Sequence, residues 1–149
     1  QVAACLDRLS AMCDTGYLLA IHIRYTRPSL MYNTYPQNWL DHYSEHGLMM
    51  VDPVVRWGMA HEGTALWDDL ANDDPAGVIK AARKHGLSHG LSFAIGPATS
   101  RTIGSVTGSA AFTPAQVEEM RAIVTEIHDL TEGFDQLPAK GQNALRVLG

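Results

Sequence analysis

Four prolines constrain this chain more than any other feature. Proline lacks an amide N–H and holds φ near the helical value, so a helix tolerates it only in the first turn. Pro36, Pro53, Pro75 and Pro114 each open a stretch with helical spacing. Three of them follow a capping residue: Asp52, Asp74 and Thr113. Thr113 also has Gln116 three places on, a capping box. These devices predict helices over 36–46, 53–63, 75–86 and 114–130, the first three stopped by Gly47, Gly63 and Gly86. In the fourth, Val117, Met120, Ile123, Val124, Ile127 and Leu130 form the buried stripe. A further amphipathic helix opens the chain, with Val2, Cys5, Leu6, Leu9 and Met12 on one face and Gly16 behind it.

Between these helices lie residues 17–25 (YLLAIHIRY), 30–32, 91–95 and 102–111, rich in β-branched, aromatic and small residues. They read as strands, the last two flanking a Gly96-Pro97 turn. Strands that cluster apart from helices predict an α+β fold. The expected architecture is an α-β-α layered domain, its mainly antiparallel sheet of about five strands flanked by helices.

The chain has 149 residues, one domain's worth, and 46% are apolar, enough for a core. No apolar run approaches the roughly 20 residues of a membrane span, and the charged first helix is no signal peptide. Gln1 stands where Met would, as in a piece of a longer protein. The net charge of -5 argues against a bare DNA-binding module, whose affinity rests on neutralising phosphates. Cys5 and Cys13 are eight apart on one predicted helix, about 12 Å of rise, too far for a disulfide. They read as reduced core thiols of a cytoplasmic protein.

Catalytic signatures are weak. His42 and His46 share a helix face but lack companion ligands, so a packed or solvated pair explains them better than zinc. His85 reads as a helix C-terminal residue favoured by the dipole. Glycines 86, 90, 96, 104 and 108 match no phosphate-binding loop, and no nucleophile elbow occurs. The pairs Asp68–Asp69 and Asp73–Asp74 sit at turn signals, where Asp caps and solvates. The chain is therefore expected to be no enzyme and to hold no metal or cofactor.

The informative stretch is 35–67, YPQNWLDHYSEHGLMMVDPVVRWGMAHEGTALW. Trp39 and Tyr43 share a helix face, Asp52 follows nine residues later, and Trp67 fifteen after that. Each alone has an ordinary explanation: core aromatics for Trp39, Tyr43 and Trp67, a helix cap for Asp52. Together they resemble the autoinducer-binding domain of LuxR-type quorum-sensing regulators, which carries Tyr-Pro-x-x-Trp-x-x-x-Tyr, then Asp-Pro, then Trp at this spacing. HGLSHGLSFAIG (85–96) and RTIGSVTGSA (101–110) match its next two blocks, and the resemblance spans roughly 2–130. Ala94 departs from the family's usual Pro. Val54 stands where some relatives have a Thr that contacts a 3-oxo group, which argues against a strong 3-oxo preference through that residue.

The resemblance implies a buried N-acyl-homoserine lactone. Trp39 would donate to the lactone carbonyl, Asp52 accept the amide N–H, and Tyr43 donate to the acyl carbonyl. Thr107 would help there or at a 3-substituent. Trp67 and Tyr35 would pack on the ring or tail, and Val54 and Val55 would line the tail. A dry pocket must match every polar atom of such a ligand. The domain is placed at 1–132. Residues 133–149 are read as a linker and the truncated or divergent start of a helix-turn-helix domain, with the leucines of LPAKGQNAL (137–145) eight apart. The resemblance further implies a cytoplasmic homodimer that meets DNA only through a C-terminal domain absent from this chain, with no membrane contact. Three other readings stay open: the same fold sensing an aryl-homoserine lactone or a host compound, a small α+β hydrolase using His42, His46 or His89, and a ligand-free interaction domain.

Overall fold

The structure, a computed structural model, describes residues 1–148. Strands β1 (Gly16–Arg24), β2 (Arg27–Asn33), β3 (Gly63–Leu66), β4 (His89–Ile95) and β5 (Arg101–Gly108) form one antiparallel sheet. Their order across it is β2-β1-β5-β4-β3. Helices α1 (Val2–Met12) and α6 (Pro114–Leu130) cover one face. The other face lies under four short helices: α2 (Gln37–Glu45), α3 (Pro53–Ala60), α4 (Trp67–Leu70) and α5 (Val78–Lys84). The α-β-α layering and the five-stranded antiparallel sheet agree with the sequence.

Alternation along the strands sorts their side chains between the two layers. Leu19, Ile21, Leu91, Phe93 and Val106 meet Leu9 of α1 and Met120, Ile123, Val124 and Ile127 of α6 in one apolar cluster. Thr113 caps α6 through its side chain, and Gln116 returns the bond, as its capping box predicts. At His22 the β1–β5 register slips and φ turns positive, at 49°. This bulge turns two consecutive residues, Ile21 and His22, toward the α6 side. There His22 bonds Ser100 and the His128 carbonyl, and its ring stacks on His128 at 4.2 Å. Cys5 and Cys13 are buried and free; burial pushes the Cys13 thiol up to about 12.

Three boundaries differ from the sequence reading. α3 does not run to Gly63 but ends at Ala60, and Gly63–Leu66 becomes the fifth strand, paired with β4. The Arg101 guanidinium, more than forty residues on, donates to the Gly58 and His61 carbonyls and so satisfies the end of this helix. Asp74 caps as expected, accepting from the amides of Val78 at 3.0 Å and Ile79 at 2.8 Å. Yet α5 starts at Val78 rather than Pro75, because the carboxylate reaches across an intervening turn. The 102–111 strand ends at Gly108, while the short partner strand grows to Arg27–Asn33. Pro28 is tolerated inside it because β2 is an edge strand.

Within 133–140, Phe134 forms a short 3-10 turn and is buried in the α1–α6 core. α7 (Ala139–Arg146) follows. The Tyr32 phenol donates to the Leu145 carbonyl at 2.7 Å, and Arg146 lies over the Phe134 ring. This end of the chain therefore rests on the α1–α6 side of the domain.

Candidate ligand-binding site

The second face of the sheet gathers most of the expected residues. Tyr35, Trp39, Val54 and Trp67 are buried in one cluster with Ile23, Val78, Ile79, Leu87 and Ile103, and Tyr43 packs against it half-buried. Tyr35 sits between β2 and α2, which presents Trp39 and Tyr43 one turn apart, their rings edge to face at 5.7 Å. His85, at the end of α5, lies 5.3 Å from the Trp39 ring and 5.0 Å from His42. The stacked His42–His46 pair completes a patch of imidazoles outside Trp39. Burial, then His46 and His85, hold the His42 pKa down. Among the described residues no group of three or more His, Cys, Asp or Glu is placed to hold a metal ion.

Asp52 is both a cap and a site residue. Its Oδ1 accepts the Val54 amide at 2.8 Å, and its Oδ2 accepts the Tyr43 phenol at 2.8 Å. Burial raises its pKa against the lowering effect of those two bonds. Tyr43 is raised too, by burial and by the facing carboxylate. Tyr35 differs: its hydroxyl is buried and has no hydrogen-bond partner. Burial is the main cause of its strongly raised pKa, and Cys13, Asp52 and Ser105 are its polar neighbours.

The ring of Trp67 lies on the backbone of β4. A Cβ at Gly90 would stand 2.3 Å from Trp67 Cδ2, so only glycine leaves room for the ring. The Trp67 indole donates to Ser92 Oγ at 3.0 Å, and Ser92 Oγ is 2.7 Å from Ser105 Oγ. Neither serine was among the expected site residues. The signal was present, since 103, 105 and 107 alternate onto one face, but short polar residues in a strand say nothing about their partner. Thr107 is fully buried at the far end of that row, donating to the Gly16 carbonyl at 3.0 Å and accepting from Thr15 at 2.8 Å. Val55 is half-buried and outside the cluster. Two surface clefts lie to the sides of this cluster. One, of about 560 Å³, is edged by Asp74, Lys80, Arg83 and Lys84; the other, of about 520 Å³, by Cys13, Gly16, Thr34, Pro36 and His85. The second is lined by Thr34 and Pro36, the two neighbours of Tyr35 in the chain.

Indole, phenol, carboxylate and hydroxyl groups are thus buried together under short helices, the mixture of apolar lining and a few convergent polar groups typical of a small-molecule site. Comparison with known proteins agrees. The model of the autoinducer binding domain family matches residues 6–130, and the chain belongs to that family, the autoinducer-binding domains of LuxR-type regulators. It is 32% identical over 104 residues to the transcriptional activator LuxR of Aliivibrio fischeri, covering 64% of this chain and 41% of that protein. It is 29% identical over 76 residues to the activator SolR of Ralstonia nicotianae, covering 50% of this chain and 32% of that one. These relatives are regulators, not enzymes, and the chain spans well under half of their length.

Among solved structures, Escherichia coli SdiA in complex with octanoyl-rac-glycerol superposes with a TM-score of 0.66 at 20% identity, over 87% of this chain and 58% of that one. The N-acylhomoserine lactone-dependent factor CepR2 of Burkholderia cenocepacia gives 0.55 at 18% identity, over 78% and 70%. These two likenesses establish the shared fold. No helix among the described residues is long and apolar enough to cross a membrane.

Proposed function

We propose that this domain encloses an N-acyl-homoserine lactone between the sheet and α2–α5, and that binding completes its folding. The observation that carries the reading is the buried Tyr35 hydroxyl without a partner, beside the Tyr43–Asp52 pair. Leaving such a group unpaired costs about 1–3 kcal/mol, which a ligand oxygen would recover. Asp52 retains lone pairs for the single amide N–H of the ligand, and a charge-assisted bond is the stronger kind. Trp39 donates to the lactone carbonyl, and Trp67 packs on the lactone ring. Tyr43 points its proton at Asp52 and thereby orients the carboxylate. Val54 lines the acyl tail together with Ile103, and Val55 borders it. Thr107 closes the polar end through Gly16 and Thr15.

In the whole protein, binding would be coupled to homodimer formation and to DNA contact by a C-terminal domain. A second amphiphile class is favoured by one finding: the SdiA complex holds octanoyl-rac-glycerol, whose ester carbonyl would meet the same donors.

A thermal-shift panel tests the reading, with lactones of graded chain length and 3-substituent, octanoyl glycerol, and homoserine lactone lacking the tail. A ligand that binds only the folded state at about a hundred times its Kd should raise Tm by roughly 5–10 °C. Each buried methylene adds about 0.8 kcal/mol, so the tailless compound should do nothing. A panel in which no acylated compound moves Tm would remove the proposal.

A further inference from the structure

The four helices over the candidate site are not held alike. α2 is joined to the start of α3 by the Tyr43–Asp52 bond, α3 to β5 by the Arg101 guanidinium, and α4 to β4 by the Trp67–Ser92 bond. α5 lacks such a tie. Val78, Ile79 and Ala82 bury its apolar stripe, and Asp74 and Ser88 in its own flanking segments bond to it. Among the described residues, its one polar contact with another element is the Arg83–Asp68 ion pair. That pair is exposed, where such pairs contribute little. α5 is also flanked by two glycines with positive φ, Gly77 at 70° and Gly86 at 92°. Nothing lies within 4 Å of where a Cβ would stand on either one, so neither is kept small for want of room. They give the backbone freedom on both sides of one short helix, as hinges do.

The turn after α5, His85–Leu87, lines the cleft of about 520 Å³ together with Gly16, Thr34 and Pro36. Its backbone bonds run back to Ala82 and Arg83, and among the described residues no hydrogen bond joins it to those other three. The seam between them can therefore part without breaking a backbone ladder. One layer of side chains separates this cleft from the candidate site. The Tyr35 ring packs on Gly16, where a Cβ would stand 3.0 Å from its Cδ1. The His85 ring is 5.3 Å from that of Trp39, and Leu87 belongs to the buried cluster itself. The other cleft is edged by Asp74, Lys80, Arg83 and Lys84, charges that a passing acyl chain would strip of water. We infer that α5 is a lid, hinged at Gly77 and Gly86, which swings away to open the seam at His85–Leu87, admits the acylated signal past Tyr35 and Trp39, and closes behind it. This rests on the proposed lactone reading and adds to it the route of entry and release.

Hydrogen exchange and stopped-flow binding of N-octanoyl-homoserine lactone test the lid together. In the free chain the amides of Ala81, Ala82 and Arg83 should exchange about a hundredfold faster than those of Ile123–Ile127 in α6, because they open locally rather than with the whole domain. Lactone at about a hundred times its Kd should slow them at least tenfold. Ser10 is exposed on α1, lines the cleft and lies outside the buried cluster. Ser10→Phe should slow association and release alike, by about threefold or more, and leave Kd within about twofold, the mark of an obstructed passage rather than a lost contact. Gly86→Ala strains the closed lid in the left-handed region and should raise koff about fivefold, with α5 exchange faster by a similar factor. Exchange of α5 no faster than that of α6 would overturn the lid, and unchanged rates in Ser10→Phe would overturn the route; both leave the lactone reading standing. A wild-type chain that does not bind the lactone would overturn that reading, and this inference with it.

Discussion

The two faces of the sheet are built to different rules. Toward α1 and α6 the residues are large and apolar: Leu9, Leu19, Ile21, Phe93, Met120, Ile123 and Ile127 are all fully buried. Two long helices cover them, and the polar groups there, His22, Thr102 and His128, bond one another or the backbone. Toward α2–α5 the cover is four short helices, two of them the length of two turns or less. Beneath them lie a carboxylate, two phenols, two indoles and several hydroxyls, one phenol without a partner. The first face is the larger apolar cluster, and its polar groups are paired within the protein. The second holds polar groups that bond one another, except the Tyr35 hydroxyl, whose burial is left uncompensated.

The largest effect should come from cutting into the first face. Leu9→Ala or Ile127→Ala should cost about 2–5 kcal/mol, with a saturating lactone adding the same stabilisation to variant and wild type. Urea titrations with and without the lactone check this, and a variant defect erased by ligand would blur the distinction between the faces. Next, Gly90→Ala pushes a methyl into the Trp67 ring. It should cost about 1–3 kcal/mol and weaken lactone binding as well, because the displaced ring serves both. A stability loss at unchanged Kd would place Trp67 in the core only.

Asp52→Asn sharpens the contrast further. Burial raises the pKa of Asp52, so its ionised form is disfavoured in the folded state. A raised acid contributes stability when protonated, which is lost as pH rises through its folded pKa. The Asn variant should therefore be at least as stable as wild type at pH 7 without ligand, yet lose roughly 1.5–3 kcal/mol of ligand-induced stabilisation. Equal stabilisation of the two proteins by lactone would take Asp52 out of the site.

The smallest effect is a pH slope of opposite sign. His128, on the α6 face, has its pKa held down by burial first and then by His22. The unfolded chain takes up this proton before the folded one, so stability falls as pH drops from the ordinary histidine value through the lowered one. Chemical denaturation between pH 7 and 5 should show that loss in the wild type and a flatter profile in His128→Gln. An unchanged slope would assign the acid sensitivity to other groups.

Much of this was legible beforehand because it is local. The Thr113 capping box, the Asp52 cap and the Met120–Ile127 stripe depend on neighbours a few residues away, and the structure contains each. The placement of Trp39 and Tyr43 on one helix face follows from the same periodicity. The errors are non-local. Nothing near Gly63 indicates that Arg101 will end α3 and release a fifth strand. A stretch of four residues, GTAL, is too short to declare itself without its partner β4.

Residue order alone thus determined where most helices lie, the α-β-α layering and which aromatic and acidic groups share a face, since spacing along a helix or strand is a covalent fact. Tertiary packing decided where each proton points: Tyr43 to Asp52, Thr107 to Gly16 and the Trp67 indole to Ser92. A hydroxyl can donate in any direction, and only the acceptor brought beside it by the fold settles which one.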